Sequence, residues 1–173
     1  MKKHNGMRPQ DIVVLIKIAA KGSQPWLMKD LSYELGISGS EVSESINRSI
    51  IAGLISFNKK DLLKLNLLDF LNYGLRYVFP EQAGALVRGI ATAHSANPLN
   101  KTIISNEPFV WPYAKGEIRG QAIAPLHPNV PAAALKDKIF YAFMTLVDAL
   151  RVGKIREKEL AIKELKKRLL NGE

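Results

Sequence analysis

The chain has 173 residues, 47% of them hydrophobic, enough for one large domain or a small domain joined to a second unit, and too many for a chain that lacks a core. Lys and Arg outnumber Asp and Glu by 25 to 16, and the net charge of +9 favours a polyanionic partner through release of condensed counterions. Cysteine is absent, which excludes disulfides, thiol nucleophiles and cysteine metal sites, and no apolar run reaches the roughly 18 residues of a membrane span.

The first eight residues form a basic arm carrying Lys2, Lys3 and Arg8. The arm does not lead into an apolar signal segment, so a soluble cytoplasmic protein with no membrane contact is expected. Pro9 suits the first position of a helix and Asp11 its first turn. Ile12, Val13, Val14, Leu15, Ile16 and Ile18 point almost all round that helix, which Gly22 ends. A helix this apolar must be covered on most sides. Pro25 and Trp26 are expected to open a second helix, with Trp26 as a core anchor, and Leu31 and Leu35 stand one turn apart within it.

Gly36 then supplies the left-handed turn of a helix stop. Ser38 is placed to cap the next helix, and Glu41, three residues on, completes a capping box. Val42, Ile46, Ser49 and Gly53 mark the inner stripe of this third helix. Opposite them, at about 100° per residue, lie Ser40, Ser43, Glu44, Asn47 and Ile51, with Arg48 at the edge. Residues 55–57 and 62–65 read as short strands joined by the turn Asn58-Lys59-Lys60-Asp61. Asn66 is expected to cap a short helix over 67–73, closed by Gly74.

A short helix with a polar outer face, held by a tight turn against another helix, is the geometry of a DNA-reading element. The residues Leu31-Ser32, Leu35-Gly36-Ile37-Ser38, Val42-Ser43, Ile46-Asn47-Arg48 and Ala52-Gly53-Leu54-Ile55 resemble the winged helix-turn-helix of bacterial and archaeal transcription regulators of the MarR-like kind. The resemblance covers about the first third of the chain. It implies that the 55–65 hairpin is a wing and that the chain forms a homodimer, because in such dimers the first helix often lies under the interface. Two third helices would then read a near-palindromic operator in double-stranded DNA. The base contacts are expected from Ser40, Ser43, Asn47 and Arg48, with Asn47 suited to adenine and Arg48 to guanine or phosphate. Lys59 and Lys60 at the wing tip, with Lys2, Lys3 and Arg8 on the arm, are expected to hold phosphates. Ser49 departs from the pattern, standing where these regulators usually carry Leu, and Ile50 and Ile51 stand where they usually carry charge. Ile51 is therefore expected to pack under another element of this chain or of a partner subunit. Glu41 and Glu44 are unfavourable near phosphates, which keeps open a protein-interaction platform as the rival reading.

From residue 77 the texture turns to proline, glycine and small residues, with an internal echo. Val78-Phe79-Pro80, Gly84, Arg88-Gly89 and His94 are matched by Val110-Trp111-Pro112, Gly116, Arg119-Gly120 and His127. Two related units of extended chain are expected. In the tail, Leu135, Ile139, Phe143, Leu146 and Leu150 mark one helical face, Gly153 interrupts it, and Ile155, Ile162, Leu165 and Leu169 stripe a final helix able to pack on a partner. Asp148 can pair with Arg151 or Arg156 near the break. Residues 77–165 resemble a group of little-characterised prokaryotic regulators, on the Phe-Pro and Trp-Pro pairs, Gly-x-x-Arg-Gly and the closing Leu-Val-Asp-Ala-Leu-Arg-Val-Gly at 146–153. Some of those resemble the regulator half of a toxin–antitoxin or nucleotidyltransferase pair, which implies a possible protein partner.

The enzymatic case rests on His94 and His127 converging on a metal, or sharing protons with Glu81, Glu107 or Glu117. Against it, neither histidine has a second ligand nearby in sequence, and no HExxH, DxD or phosphate-binding glycine loop is present. Arg88 and Arg119 suit an anion, or the carbonyls of a Pro/Gly-rich loop. No enzyme, cofactor or metal is expected. The expected fold is mainly α (α+β), with a winged helix-turn-helix over 1–65 and an accessory, dimerising region over 66–173. Within that second region, short extended segments fill 77–131 and helices 132–170.

Overall fold

The computed structural model describes residues 6–172. The expected phosphate contacts Lys2 and Lys3 lie outside the described residues. Helix occupies 55% of the described residues beside one small three-stranded sheet, so the fold is mainly α (α+β), as expected.

Helix α1 (Pro9–Ala20) starts at the expected proline, and the Arg8 amide donates to Asp11 Oδ2 at 2.8 Å. Every residue from Asp11 to Ile18 is buried. The cover is intramolecular: α2 (Met28–Leu35) and α3 (Gly39–Ile51) pack on α1, and so does α7 (Lys138–Val152). The apolar faces of α1 are therefore taken up within the chain. Trp26 is outside α2, which begins after Leu27, and its Nε1 donates to the Lys60 carbonyl at 3.1 Å.

Gly36 takes the left-handed conformation at φ 65°, and Ser38 caps α3 by accepting from the Glu41 amide at 3.3 Å. The return bond expected from Glu41 is not formed, so the capping box is half made. The two expected strands shrink to a single bridge, Ile55 with Leu62. Within the hairpin the Ser56 amide donates to the Asp61 carbonyl at 2.9 Å, and side chains add to it: Asn58 Oδ1 accepts from the Lys60 amide at 2.9 Å, and Ser56 Oγ accepts from the Asp61 amide at 3.1 Å. Helix α4 (Lys64–Tyr73) begins earlier than expected. Asn66 is not its cap but donates Nδ2 to the Gly53 carbonyl at 2.7 Å, closing the end of α3.

After α5 (Leu75–Val78) come β1 (Leu86–Ala91), β2 (Phe109–Pro112) and β3 (Ile118–Ala122). β1 is antiparallel to both others, β2 and β3 are parallel, and the three close on one another. The internal echo is only partly structural. Val78 ends a helix while Val110 lies in a strand, so the Val-aromatic-Pro copies are not equivalent. The Arg-Gly copies do correspond, because β1 and β3 pair with Arg88 opposite Arg119. A Cβ at Gly89 would lie 2.0 Å from the Trp111 carbonyl oxygen, and one at Gly120 would lie 2.5 Å from that of Pro108, so the strands approach closely only because both are glycine.

Helices α6 (Val130–Lys136), α7 and α8 (Ile155–Asn171) complete the chain. The expected face is broken at Asp137, which caps α7, so Leu135 and Ile139 are exposed, while Phe143, Leu146 and Leu150 are buried as expected, together with Phe140, Met144 and Val147. α7 runs through the centre of the molecule. α8, expected to pack on a partner, packs on α7 and α4 of its own chain. Asp148, fully buried, accepts from Thr92 Oγ1 (2.8 Å), Trp111 Nε1 (2.6 Å) and Arg151 Nη1 (2.9 Å), and so fastens the sheet to α7. Burial pushes the Asp148 carboxyl up, against the opposing pull of Arg151, Thr92 and Trp111. One continuous core runs from Ile12 to Leu169, so the change of texture at residue 77 is not a gap in packing. Among the described residues no helix is long and apolar enough to cross a membrane.

Candidate nucleic-acid interface

The outer surface of α3 is set by what its inner surface binds. Val42, Ser45, Ile46, Arg48 and Ser49 are buried, while Ser40, Glu41, Asn47 and Ile51 are exposed and Ser43 and Glu44 are intermediate. Ser40, Ser43 and Asn47 thus lie on the accessible side of the helix, as their spacing predicts. Asn47 also meets the hairpin: Lys59 Nζ donates to Asn47 Oδ1 at 3.5 Å. Lys59 sits at the tip in a left-handed conformation, φ 61°. Lys60 is exposed beside it, with its carbonyl bound by Trp26. The α3 surface and the hairpin lysines therefore form one exposed polar surface.

Arg48 does not belong to that surface, which corrects its expected role as a base contact. Its Nε and Nη2 donate to the two oxygens of Asp11, at 2.8 and 2.7 Å, and only 8% of the residue is exposed. The hydrogen bonds to Asp11 hold the Arg48 guanidinium above its ordinary pKa, against burial and with help from the Asp11, Glu44 and Glu41 charges. Glu44 Oε2 lies 3.8 Å from Arg48 Nη1, so its charge meets an opposite charge one turn along the same helix. Asp11 was legible in the sequence only as a first-turn acid, and its pairing with a residue 37 positions away carries no local signal. Ile51, expected under another element, is 64% exposed in the protomer.

The α2–α3 turn is held from the far side of the chain. Asn129 Nδ2 donates to the carbonyls of Leu35 (3.2 Å) and Gly36 (2.8 Å), two groups that the end of α2 leaves without helical partners. The Asn129 amide in turn donates to His127 Nδ1 at 3.1 Å. Burial lowers the His127 pKa, against the pull of Glu41. Sequence reasoning missed Asn129 entirely.

The two histidines have separate partners. His94 is buried and donates Nε2–H to the Glu107 carbonyl at 3.1 Å, whereas His127 holds Asn129. Glu81 accepts from the Ala124 amide at 2.8 Å, and Glu107 meets His94 through its backbone rather than its carboxylate. Among the described residues no group of three His, Asp or Glu side chains is arranged to hold a metal ion.

No family model matches the chain, and no curated protein or solved structure matches it either.

Proposed function

We propose that the chain is a sequence-specific DNA-binding transcription regulator of winged helix-turn-helix, MarR-like type, acting on cytoplasmic DNA without catalysis of its own. The observation that carries this reading is the side-by-side placement of Asn47 on α3 and Lys59 on the hairpin, 3.5 Å apart on one exposed surface. An amide side chain that can pair with adenine stands next to a cation that can hold the flanking phosphate. The net charge of +9 favours the same partner. Ser40, Ser43 and Asn47 are the base-contacting set, and Lys59 and Lys60 hold phosphates. A dimer would present two such surfaces to half-sites about one helical turn apart. Because α1 is enclosed by its own chain, the dimer contact belongs to another surface.

Selection of binding sites from random duplex DNA tests the reading. The expected result is enrichment of a near-palindromic sequence, and a pool that remains random after repeated rounds contradicts it. A second reading, a protein-interaction platform or antitoxin-like partner, is favoured by Ile51 and Phe57, 64% and 91% exposed. It predicts that Ile51→Ser and Phe57→Ser abolish capture of a protein partner while no DNA sequence is enriched.

A further inference from the structure

The Arg-Gly echo has no part in the DNA surface, yet the fold gives it a definite geometry. β1 and β3 are antiparallel, and their register sets Arg88 directly opposite Arg119. Directly opposed residues project from the same face of a sheet, with Cβ atoms about 4.5–5.5 Å apart, and like charges in that relation are destabilising. Both arginines are exposed. The glycine after each, Gly89 and Gly120, lies against the Trp111 and Pro108 backbone, where a Cβ has no room.

Three other arginines meet carboxylates: Arg48 with Asp11, Arg151 with Asp148 and Arg168 with Glu164. Among the described residues no carboxylate lies within ion-pair distance of Arg88 or Arg119, and Arg88 makes only a long 3.5 Å bond to the Gly116 carbonyl. The two flank an open depression of about 310 Å³, which Glu117 and Ile118 also line. Two unanswered guanidinium groups, held opposite each other by strand register, leave room for an anion to supply the missing charge.

We propose that Arg88 and Arg119 form a binding site for a phosphate-class oxyanion, which accepts hydrogen bonds from both guanidinium forks and relieves the opposition between them. The shared chemistry is the phosphate oxygen, carried either by a free phosphate or by the backbone of a nucleic acid. The site uses none of the α3 or hairpin residues, so it does not depend on the DNA-binding proposal.

Thermal unfolding of the full chain separates the outcomes, comparing wild type with Arg88→Gln, Arg119→Gln and the charge-keeping Arg88→Lys and Arg119→Lys. Inorganic phosphate is compared with chloride at matched ionic strength, so that simple screening cancels. For a free-phosphate site, phosphate raises the wild-type Tm in a saturating, dose-dependent way. The Gln variants lose that rise, yet melt in chloride at or above wild type because a like charge has been removed. The Lys variants lose most of the rise while their melting in chloride is unchanged. For a backbone site, the slope of log affinity for duplex DNA against log salt instead falls by about one for each Arg→Gln change. If all five proteins respond to phosphate alike, and the duplex salt slope is the same in each, the proposal is overturned.

Discussion

Asp11 and Arg48 are joined by a two-pronged ion pair, 2.8 and 2.7 Å long, that fixes the inner edge of α3 to the first turn of α1. Ser45 Oγ adds a third bond to the same carboxylate at 2.6 Å, and no part of Asp11 is exposed. The pair therefore sets how α3 is rotated, and with it which residues face outward. Removing one partner strands a buried charge. Asp11→Ala is expected to lower stability by about 3–5 kcal/mol, read as a fall in the urea midpoint. The double change Asp11→Leu with Arg48→Met should recover much of that loss. A midpoint unaltered by Asp11→Ala would contradict the assignment.

Asn129 ties the α2–α3 turn to a loop more than ninety residues away. Asn129→Ala removes both bonds to the Leu35 and Gly36 carbonyls and is expected to cost about 1–2 kcal/mol. The effect should be local. Amide exchange at Ile37, which donates to Ser32, should quicken, while exchange in the last turns of α8 stays at the wild-type rate. Equal acceleration in both places would show that Asn129 acts on the whole fold and not on the turn.

Lys17 is buried between Asp137 (2.6 Å) and Glu34 (3.0 Å), and it gives the chain an acid-sensitive joint. Burial by itself would raise both carboxyl pKa values. Lys17, with Lys21 for Glu34 and the Phe140 and Ile139 amides for Asp137, outweighs it and holds both below their ordinary values. A carboxylate with a depressed folded pKa contributes stability that is present above its unfolded pKa and lost as pH falls through the folded one. That loss belongs below about pH 4. Lys17→Met should therefore flatten the acid limb, with a smaller drop in urea midpoint between pH 7 and pH 3 than wild type shows. Parallel profiles would contradict this.

Local signals made much of the fold legible. Pro9, Gly36, Ser38 and Gly153 punctuate the helices where the sequence predicts, because each acts through its own backbone geometry. What escaped was long-range. The apolar girth of α1 shows that something must cover it, but not that α7 does so from the other end of the chain. The echo correctly pointed to paired Arg-Gly elements, yet Val78 closes α5 and Phe79 caps it, a helical end that the spacing conceals. On α3, periodicity put Ser40, Ser43 and Asn47 on the accessible side, where the structure has them. It could not separate Arg48 from them, because an edge position becomes buried or exposed according to whether a partner such as Asp11 lies beneath it.

The central claim is that the α3 face and the hairpin tip act together on duplex DNA. Equilibrium affinity of wild type, Asn47→Ala and Lys59→Ala for a selected duplex, measured across a salt series, tests it most directly. Asn47→Ala should cost about 1–3 kcal/mol and relax discrimination at one position in each half-site, with the salt slope unchanged. Lys59→Ala should weaken binding to every sequence alike and reduce the slope by about one. If all three proteins bind duplex DNA with the same affinity and slope at low salt, the α3–hairpin surface is not where DNA is read.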